Sequence, residues 1–366
     1  MRELSDALLF WFDQCARKLP WREPASGTRR DPYAVIVSEF MLQQTQVSTV
    51  IPYYSRFLER FPDLPALASA EEPEVLKYWE GLGYYRRARQ LLKLAKTLVF
   101  DFLGELPQDR KTLLKLPGIG EYTAGALLSF VFDLPEPAVD GNVLRVVSRL
   151  EAEAYTMGDV KSQAAVRERV SGLIPPERAG DFSEALIELG ATICLSSSPL
   201  CHGCPLSHVC QAYQKGVVAE YPLRQKRDKS PVSRMSYVLV HDGTHVFCRQ
   251  RSEALLHGLY EFVLLPEKYK KNDGEKVEEA MRKMSEFSNL PFHELRYVAD
   301  KRVVFSHRVW ELSFWELRIE GDELGFVFQD KGDSNVFAVR RQDLESLAFP
   351  AFLAGWRDAF LAEWGL

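Results

Sequence analysis

The chain of 366 residues carries 46 basic and 51 acidic side chains, a formal charge of −5, and 46% hydrophobic residues. That length admits two or three domains, each with its own core, and the composition is that of an ordinary globular protein. The net negative charge on its own argues against a nucleic-acid partner, and no apolar run approaches the ~20 residues of a membrane span.

The N-terminal stretch MRELSDALLFWFDQCARKLPWR mixes charged and apolar residues from the outset, which predicts an amphipathic helix rather than a signal peptide. The expected compartment is therefore reducing and cytosolic, where clustered cysteines bind metal more often than they pair. Apolar residues recur at helical spacing through 33–60, 74–100, 110–131, 141–151, 160–173 and 181–195, with proline- and glycine-bearing breaks between them. Residues 1–220 read as an all-α domain. Within it, YAVIVSEFMLQQTQV holds a lone acid, Glu39, whose helical neighbours Val35, Ile36 and Leu42 place it on an apolar face. A carboxyl in such surroundings keeps its proton towards neutrality and suits general-acid work. Residues 84–100, YYRRARQLLKLAKTLVF, carry five cations (Arg86, Arg87, Arg89, Lys93, Lys96) and no acid. That run is either a solvated helix face or a local surface for phosphates.

Residues 113–130, LLKLPGIGEYTAGALLSF, set Pro117, Gly118 and Gly120 between two apolar helical stretches. The glycines permit a tight turn that bares amides at the start of the second helix, an anion site if a ligand is present and a plain αα-hairpin if not. In PAVDGNVLRVVSRL, Asp140 stands just ahead of an apolar helix, a favoured N-cap. A carboxylate there is also stabilised as the anion, as a group facing a developing cation must be. Glu39 as acid and Asp140 as anion form the kind of carboxyl pair that cleaves a glycosidic bond.

Four of the six cysteines, Cys194, Cys201, Cys204 and Cys210, follow the pattern C-x6-C-x2-C-x5-C. One C-x2-C in a compact loop favours an iron–sulfur cluster over zinc, and either over a disulfide. Cys15 and Cys248 read as packed thiols. Residues 221–234, YPLRQKRDKSPVSR, are charged and aperiodic and read as a linker. The remainder, 235–366, changes texture. SYVLVHDGTHVFCRQR flanks Asp242-Gly243 with strand-forming residues, a hairpin signal, and 294–320 is a second strand-rich block. Helices are predicted at 274–288 and near 350–364, so this domain reads as α+β.

SEFMLQQTQV, GLGYYRRAR, LPGIGEYTAGA, VDGNV and the cysteine loop together resemble the MutY family, the adenine glycosylases of the helix-hairpin-helix DNA repair superfamily. The resemblance implies a helix-hairpin-helix glycosylase domain over 1–220 with one [4Fe-4S] cluster held by the four loop cysteines. A Nudix-like domain over 235–366 would recognise the mispair. The implied activity is removal of adenine opposite 8-oxoguanine or guanine in double-stranded DNA by a monomer, in the cytoplasm or nucleoid of a bacterium or the nucleus of a eukaryote. Glu39 is implied to protonate the adenine and Asp140 to stabilise the sugar cation, with Tyr122 and Asn142 orienting them. Arg17, Trp21 and Glu184 match the pocket for the extruded base. Gln44, Thr45, Leu82, Gly83, Tyr84, Gly118 and Gly120 match DNA-contacting positions, with Gln44 and Tyr84 as wedges. His202 and His208 are the only candidate basic groups between the loop cysteines.

Bifunctional members of the superfamily carry a lysine where Tyr122 stands, and a phenol cannot form the Schiff base that leads to strand cleavage. In the second domain HGLYEF matches loosely, with Tyr260 where tryptophan is common. Phe305, Ser306 and His307 resemble the loop that senses the oxidised base. The acidic stretch GEKVEEAMRKMSEF lacks the arrangement of a Nudix hydrolase, so recognition without hydrolysis is expected. The competing readings are a bifunctional endonuclease III-like glycosylase/lyase and a non-catalytic DNA-binding iron–sulfur protein.

Overall fold

The computed structural model describes residues 2–22, 30–224, 230–284, 287–288, 290–320 and 336–363. The first part of the chain forms α1 (Arg2–Cys15), α2 (Pro32–Leu42), α3 (Val47–Arg60), α4 (Leu64–Ala68), α5 (Glu72–Tyr78) and α6 (Arg86–Asp101). These are followed by α7 (Arg110–Leu113), α8 (Glu121–Phe132), α9 (Gly141–Glu151), α10 (Val160–Ser171), α11 (Ala179–Thr192) and α12 (Gln211–Gln214). Aspartates start many of these helices. Asp31, Asp63, Asp109, Asp140 and Asp159 each accept a backbone N–H from the first turn of the helix that follows, satisfying an otherwise orphaned donor.

The predicted run 74–100 is not one helix. Trp79 ends α5, and the chain turns through left-handed conformations at Gly81, Gly83 and Tyr84 before α6 begins. This break also marks an organisational boundary. The chain divides into two compact units, residues 1–70 with 86–227, and 71–85 with 228–366, so α5 and its loop belong to the C-terminal unit. Another correction concerns the cationic run. Arg87 is buried and donates to the carbonyls of Phe40, Met41 and Gln43 (3.0, 2.7 and 2.5 Å), capping the C-terminal end of α2 instead of facing solvent. Cys15 likewise is exposed at the end of α1, whereas Cys248 is buried as expected.

The C-terminal unit is built on β1 (Val232–His241), β2 (His245–Gln250), β3 (Tyr260–Glu261), β4 (Val263–Leu265), β5 (Phe292–Val304), β6 (Val309–Ile319) and β7 (Val336–Arg340). These make a seven-stranded sheet among the described residues, in the order β3-β2-β1-β6-β5, with β4 paired to β1 and β7 to β2. β1 and β6 run parallel at its centre; the other pairs are antiparallel. Asp242 makes the predicted β1–β2 turn, its Oδ1 accepting from the Thr244 and His245 amides (2.7 and 2.6 Å). Alternate β1 residues serve opposite faces. Tyr237 and Leu239 join a core with Phe349, Phe352 and Leu353, whereas Val238 and Val240 pack with Val277, Met281 and Phe287. Helices α13 (Gly274–Lys283) and α14 (Ala351–Glu363) supply these two cores, so the centre of the sheet is buried on both faces.

In the helical unit, α8 lies so close to the segment before α9 that a Cβ on Gly125 would stand 2.1 Å from the Pro137 carbonyl oxygen. Gly125→Ala should cost about 2–3 kcal/mol through overpacking, seen as a lower midpoint in urea unfolding followed by helical circular dichroism.

Candidate active site

Four helices and one connecting segment build the site. Asp31 and Pro32 start α2, which is apolar on nearly every side and carries Glu39 into the interior at 5% exposure. The hairpin α7–α8 turns through Leu116–Gly120, with Gly118 left-handed at φ +75° and Gly120 as the N-cap of α8. Any side chain at Gly118 is excluded twice over, since a Cβ there would also meet the Phe40 ring at 2.7 Å. Two residues into α8, Tyr122 donates a hydrogen bond to the Glu39 carboxyl. Glu39 Oε2 is fully enclosed and has no partner among the described residues.

Asp140 is the N-cap of α9. Its Oδ1 accepts from the Val143 amide (2.8 Å) and its Oδ2 from the Asn142 side chain (2.7 Å). Asn142 is itself held by Arg145, which donates to its Oδ1 (2.9 Å) and to the carbonyls of Gly190 and Cys194 (both 2.8 Å). The two carboxyls are therefore unequal. Burial, with the nearby Glu184 and Asp140 charges, raises the Glu39 pKa to about 7 against the opposing Tyr122 hydrogen bond and Arg22. Burial also raises Asp140, but the Val143 amide, Asn142 and Arg145 all favour its anion. One group has an unpaired oxygen and the other has both oxygens bonded, so the proton belongs on Glu39. Burial, reinforced by the carboxyls around it, raises the Tyr122 phenol well above its ordinary range and keeps it neutral.

On α11, Glu184 and Glu188 stand one turn apart and meet arginines from the segment between α1 and α2. Arg30 grips Glu184 with both terminal nitrogens (2.5 and 2.8 Å), and Arg22 Nε lies 3.4 Å from it. Arg17 and Arg22 share Glu188 (2.6 and 2.9 Å). Burial raises the Glu188 pKa, and the two guanidiniums more than reverse it, leaving it below the ordinary range. Trp21, 6% exposed, packs edge-on against Tyr54 at 5.3 Å.

The structure thus brings Glu39, Tyr122, Asp140, Asn142 and Glu184 together, with Arg17 reaching the group through Glu188. Arg22, Arg30, Arg145 and Glu188 escaped the sequence reading. The only available signal was the i, i+4 spacing of Glu184 and Glu188 on a helix rich in small apolar residues. Gln44 is exposed with a left-handed backbone, and Thr45 accepts from Arg87 (3.1 Å). His202 contacts the Tyr213 hydroxyl (3.2 Å), and His208 is exposed, 4.0 Å from Glu3. Leu82, Gly83, Tyr84, Phe305, Ser306 and His307 all lie in the C-terminal unit. Ser306 and His307 sit at the tip of the β5–β6 hairpin, closed by the Phe305 amide on the Arg308 carbonyl (2.9 Å), and Phe305 packs against Trp310.

Residues 37–176, which contain Glu39, the hairpin and Asp140, match the HhH-GPD superfamily of base excision DNA repair proteins. The mouse protein named adenine DNA glycosylase is 47% identical over 213 residues, covering 57% of this chain and 41% of that protein. Its namesake from Buchnera aphidicola is 36% identical over 246 residues, covering 67% of this chain and 68% of that protein. The chain belongs to the adenine DNA glycosylase family. It nevertheless spans only 41% of the mouse member's length. A thermostable thymine-DNA glycosylase structure superimposes with a TM-score of 0.53 at 29% identity, covering 58% of this chain and 96% of that one. The helix-hairpin-helix match takes in residues 71–85 of the second unit, and the seven-stranded sheet lies beyond it.

Glu39 also leaves a mark on stability. The folded state holds its proton more tightly than the unfolded chain, so the penalty is absent below about pH 4 and complete above about 7. Glu39→Gln should match the native protein near pH 4.5 and exceed it by roughly 3 kcal/mol at pH 8, measured by urea unfolding at both pH values.

Proposed function

We propose that the protein is a monofunctional adenine DNA glycosylase that removes adenine mispaired with 8-oxoguanine or guanine in duplex DNA. The observation that carries this reading is the Glu39 carboxyl, buried, proton-bearing near neutrality and aimed with an unpartnered oxygen beside the anchored Asp140. Glu39 gives its proton to a nitrogen of the adenine five-membered ring, so the base leaves neutral. The glycosidic electrons depart with the base, and the Asp140 carboxylate faces the sugar cation that remains. Asn142 holds Asp140 in place, and a water molecule completes hydrolysis. The base must leave the stack to reach these groups, and Glu184, fixed by Arg30, supplies a polar wall for it. The α8 amides beyond Gly120, which has no side-chain cap, suit a backbone phosphate. Tyr122 has no amine to capture the sugar, which argues against the lyase alternative.

The four loop thiols fit an iron–sulfur cluster. Cys194, Cys201, Cys204 and Cys210 line one cavity with Leu189 and Arg149. Their C-x6-C-x2-C-x5-C spacing, with one C-x2-C in a compact loop, favours a polynuclear group over one zinc ion. Arg149 donates to Cys194 Sγ (3.3 Å), the kind of hydrogen bond that steadies a thiolate ligand. When bound, the cluster would cross-link the loop on itself and to the end of α11, which Cys194 follows, while Arg149 of α9 would reach it only by a hydrogen bond. In the C-terminal unit, the exposed Ser306 hydroxyl suits a reader of the base opposite adenine, in keeping with a Nudix-like recognition domain.

A duplex with one 8-oxoguanine:adenine pair tests the reading. Breaks on the adenine strand should appear only after alkali; breaks without alkali would point to the lyase, and none at all would sink the proposal. Glu39→Gln should lose base release by at least a thousandfold while binding the duplex within threefold of native. For the cluster, the purified protein should contain about four irons and four acid-labile sulfides per chain, and Cys204→Ser should lose most of both.

A further inference from the structure

The loop that follows α5 lies between two helices of the same run of chain, yet it makes several contacts within the sheet unit. Glu80 is the central one. Its carboxylate takes a forked pair from Arg357 of α14 (2.8 and 3.0 Å), the Phe349 amide (2.7 Å) and Lys77 (2.7 Å). Arg357 is only 3% exposed and also donates to the Leu347 carbonyl (2.8 Å). The Tyr85 hydroxyl adds a bond to the Phe349 carbonyl (3.2 Å). Burial alone raises Glu80, but Arg357, Lys77 and the Phe349 amide together bring its pKa below the ordinary range. Within the loop, Trp79 Nε1 donates to the Gly83 carbonyl (3.0 Å) and the Tyr85 hydroxyl accepts from the Gly81 amide (3.1 Å). At its end, the half-exposed Tyr84 hydroxyl meets Ser306 Oγ at 2.8 Å.

We infer that the Glu80–Arg357 pair is a positioning device through which the C-terminal unit holds residues 79–85, so that Tyr84 and Ser306 act as one reading surface for the base opposite the target. Both side chains are largely buried, Arg357 at 4% and Glu80 at 13% exposure. Tyr84 sits in a left-handed conformation that a non-glycine residue adopts only when its surroundings impose it. Two turns of irregular backbone keep such geometry only if anchored, and a forked carboxylate–guanidinium pair fixes both distance and angle. Removing Arg357 leaves Glu80 with Lys77 and the Phe349 amide, and neutralising Glu80 leaves Arg357 with Asp358, so charge is still met but the fork that fixes the loop is lost. The inference rests on the proposed reading of an opposite-base preference.

The test uses full-length Arg357→Met, Glu80→Gln and Arg357→Lys. Two readouts are paired: single-turnover adenine release from 8-oxoguanine:adenine and guanine:adenine duplexes, and amide hydrogen exchange of the free protein. In Arg357→Met and Glu80→Gln the preference for 8-oxoguanine should fall at least tenfold, with guanine:adenine release within threefold of native. Amides 79–85 should exchange at least tenfold faster while those of α8 do not change. Arg357→Lys, which keeps the charge, should recover part of the preference. An unchanged preference and unchanged loop exchange in both disrupting variants would overturn the inference. So would a uniform loss on both duplexes with faster exchange everywhere, the mark of a merely structural pair. A native protein that treats guanine and 8-oxoguanine alike defeats the functional reading instead, and loop exchange alone then decides the anchor.

Discussion

A carboxyl group kept out of water governs how the helical unit is put together. Glu39 holds its proton near neutrality only because α2 is enclosed on nearly every side, and enclosing a whole helix creates obligations at both of its ends. Asp31 meets them at the start, and at the other end the buried Arg87 guanidinium gathers three carbonyls that water would otherwise serve. The cost of burying that arginine is offset by the bonds it makes to the helix end. A cation on α6 thus closes the end of the helix that carries the acid.

The same economy explains why two carboxyls in one site differ. Asp140 sits where a helix begins, so its oxygens are claimed by a backbone amide and by Asn142, and Asn142 in turn is gripped by an arginine reaching to the cysteine loop. Glu39 sits mid-helix, where the backbone has no donors to spare. Position in a helix, more than residue identity, separates an acid from an anion here.

Much of this was legible in the sequence, and the boundary of legibility is physical. Glu39 was visible because a lone acid among Val35, Ile36 and Leu42 violates helical amphipathicity, and Asp140 because Asp-Gly before an apolar run is a local capping signal. Residues whose role depends on a distant partner were not. Arg22, Arg30 and Glu188 form ion pairs across more than a hundred and fifty residues of chain, and Glu80 finds Arg357 across 277. Arg87 was misread for a related reason: it belongs to a cationic run by sequence but to a helix cap by contact. The break at 79–85 was hidden because apolar spacing continues across it, and only the left-handed residues Gly81, Gly83 and Tyr84 interrupt the helix.

The chain enters the sheet unit at residue 71, leaves it at 86 and enters again near 228, so three covalent links join the two units where a simple tail would have one. A stop codon at the last link removes most of the sheet unit but not its first segment. It leaves residues 71–85 behind with Glu80 stripped of Arg357 and Phe349, and Tyr85 stripped of its carbonyl. Modularity of the kind that lets domains be shuffled is therefore restricted in this architecture. A replacement C-terminal unit would have to offer a cation and an amide to the same carboxylate to keep these bonds.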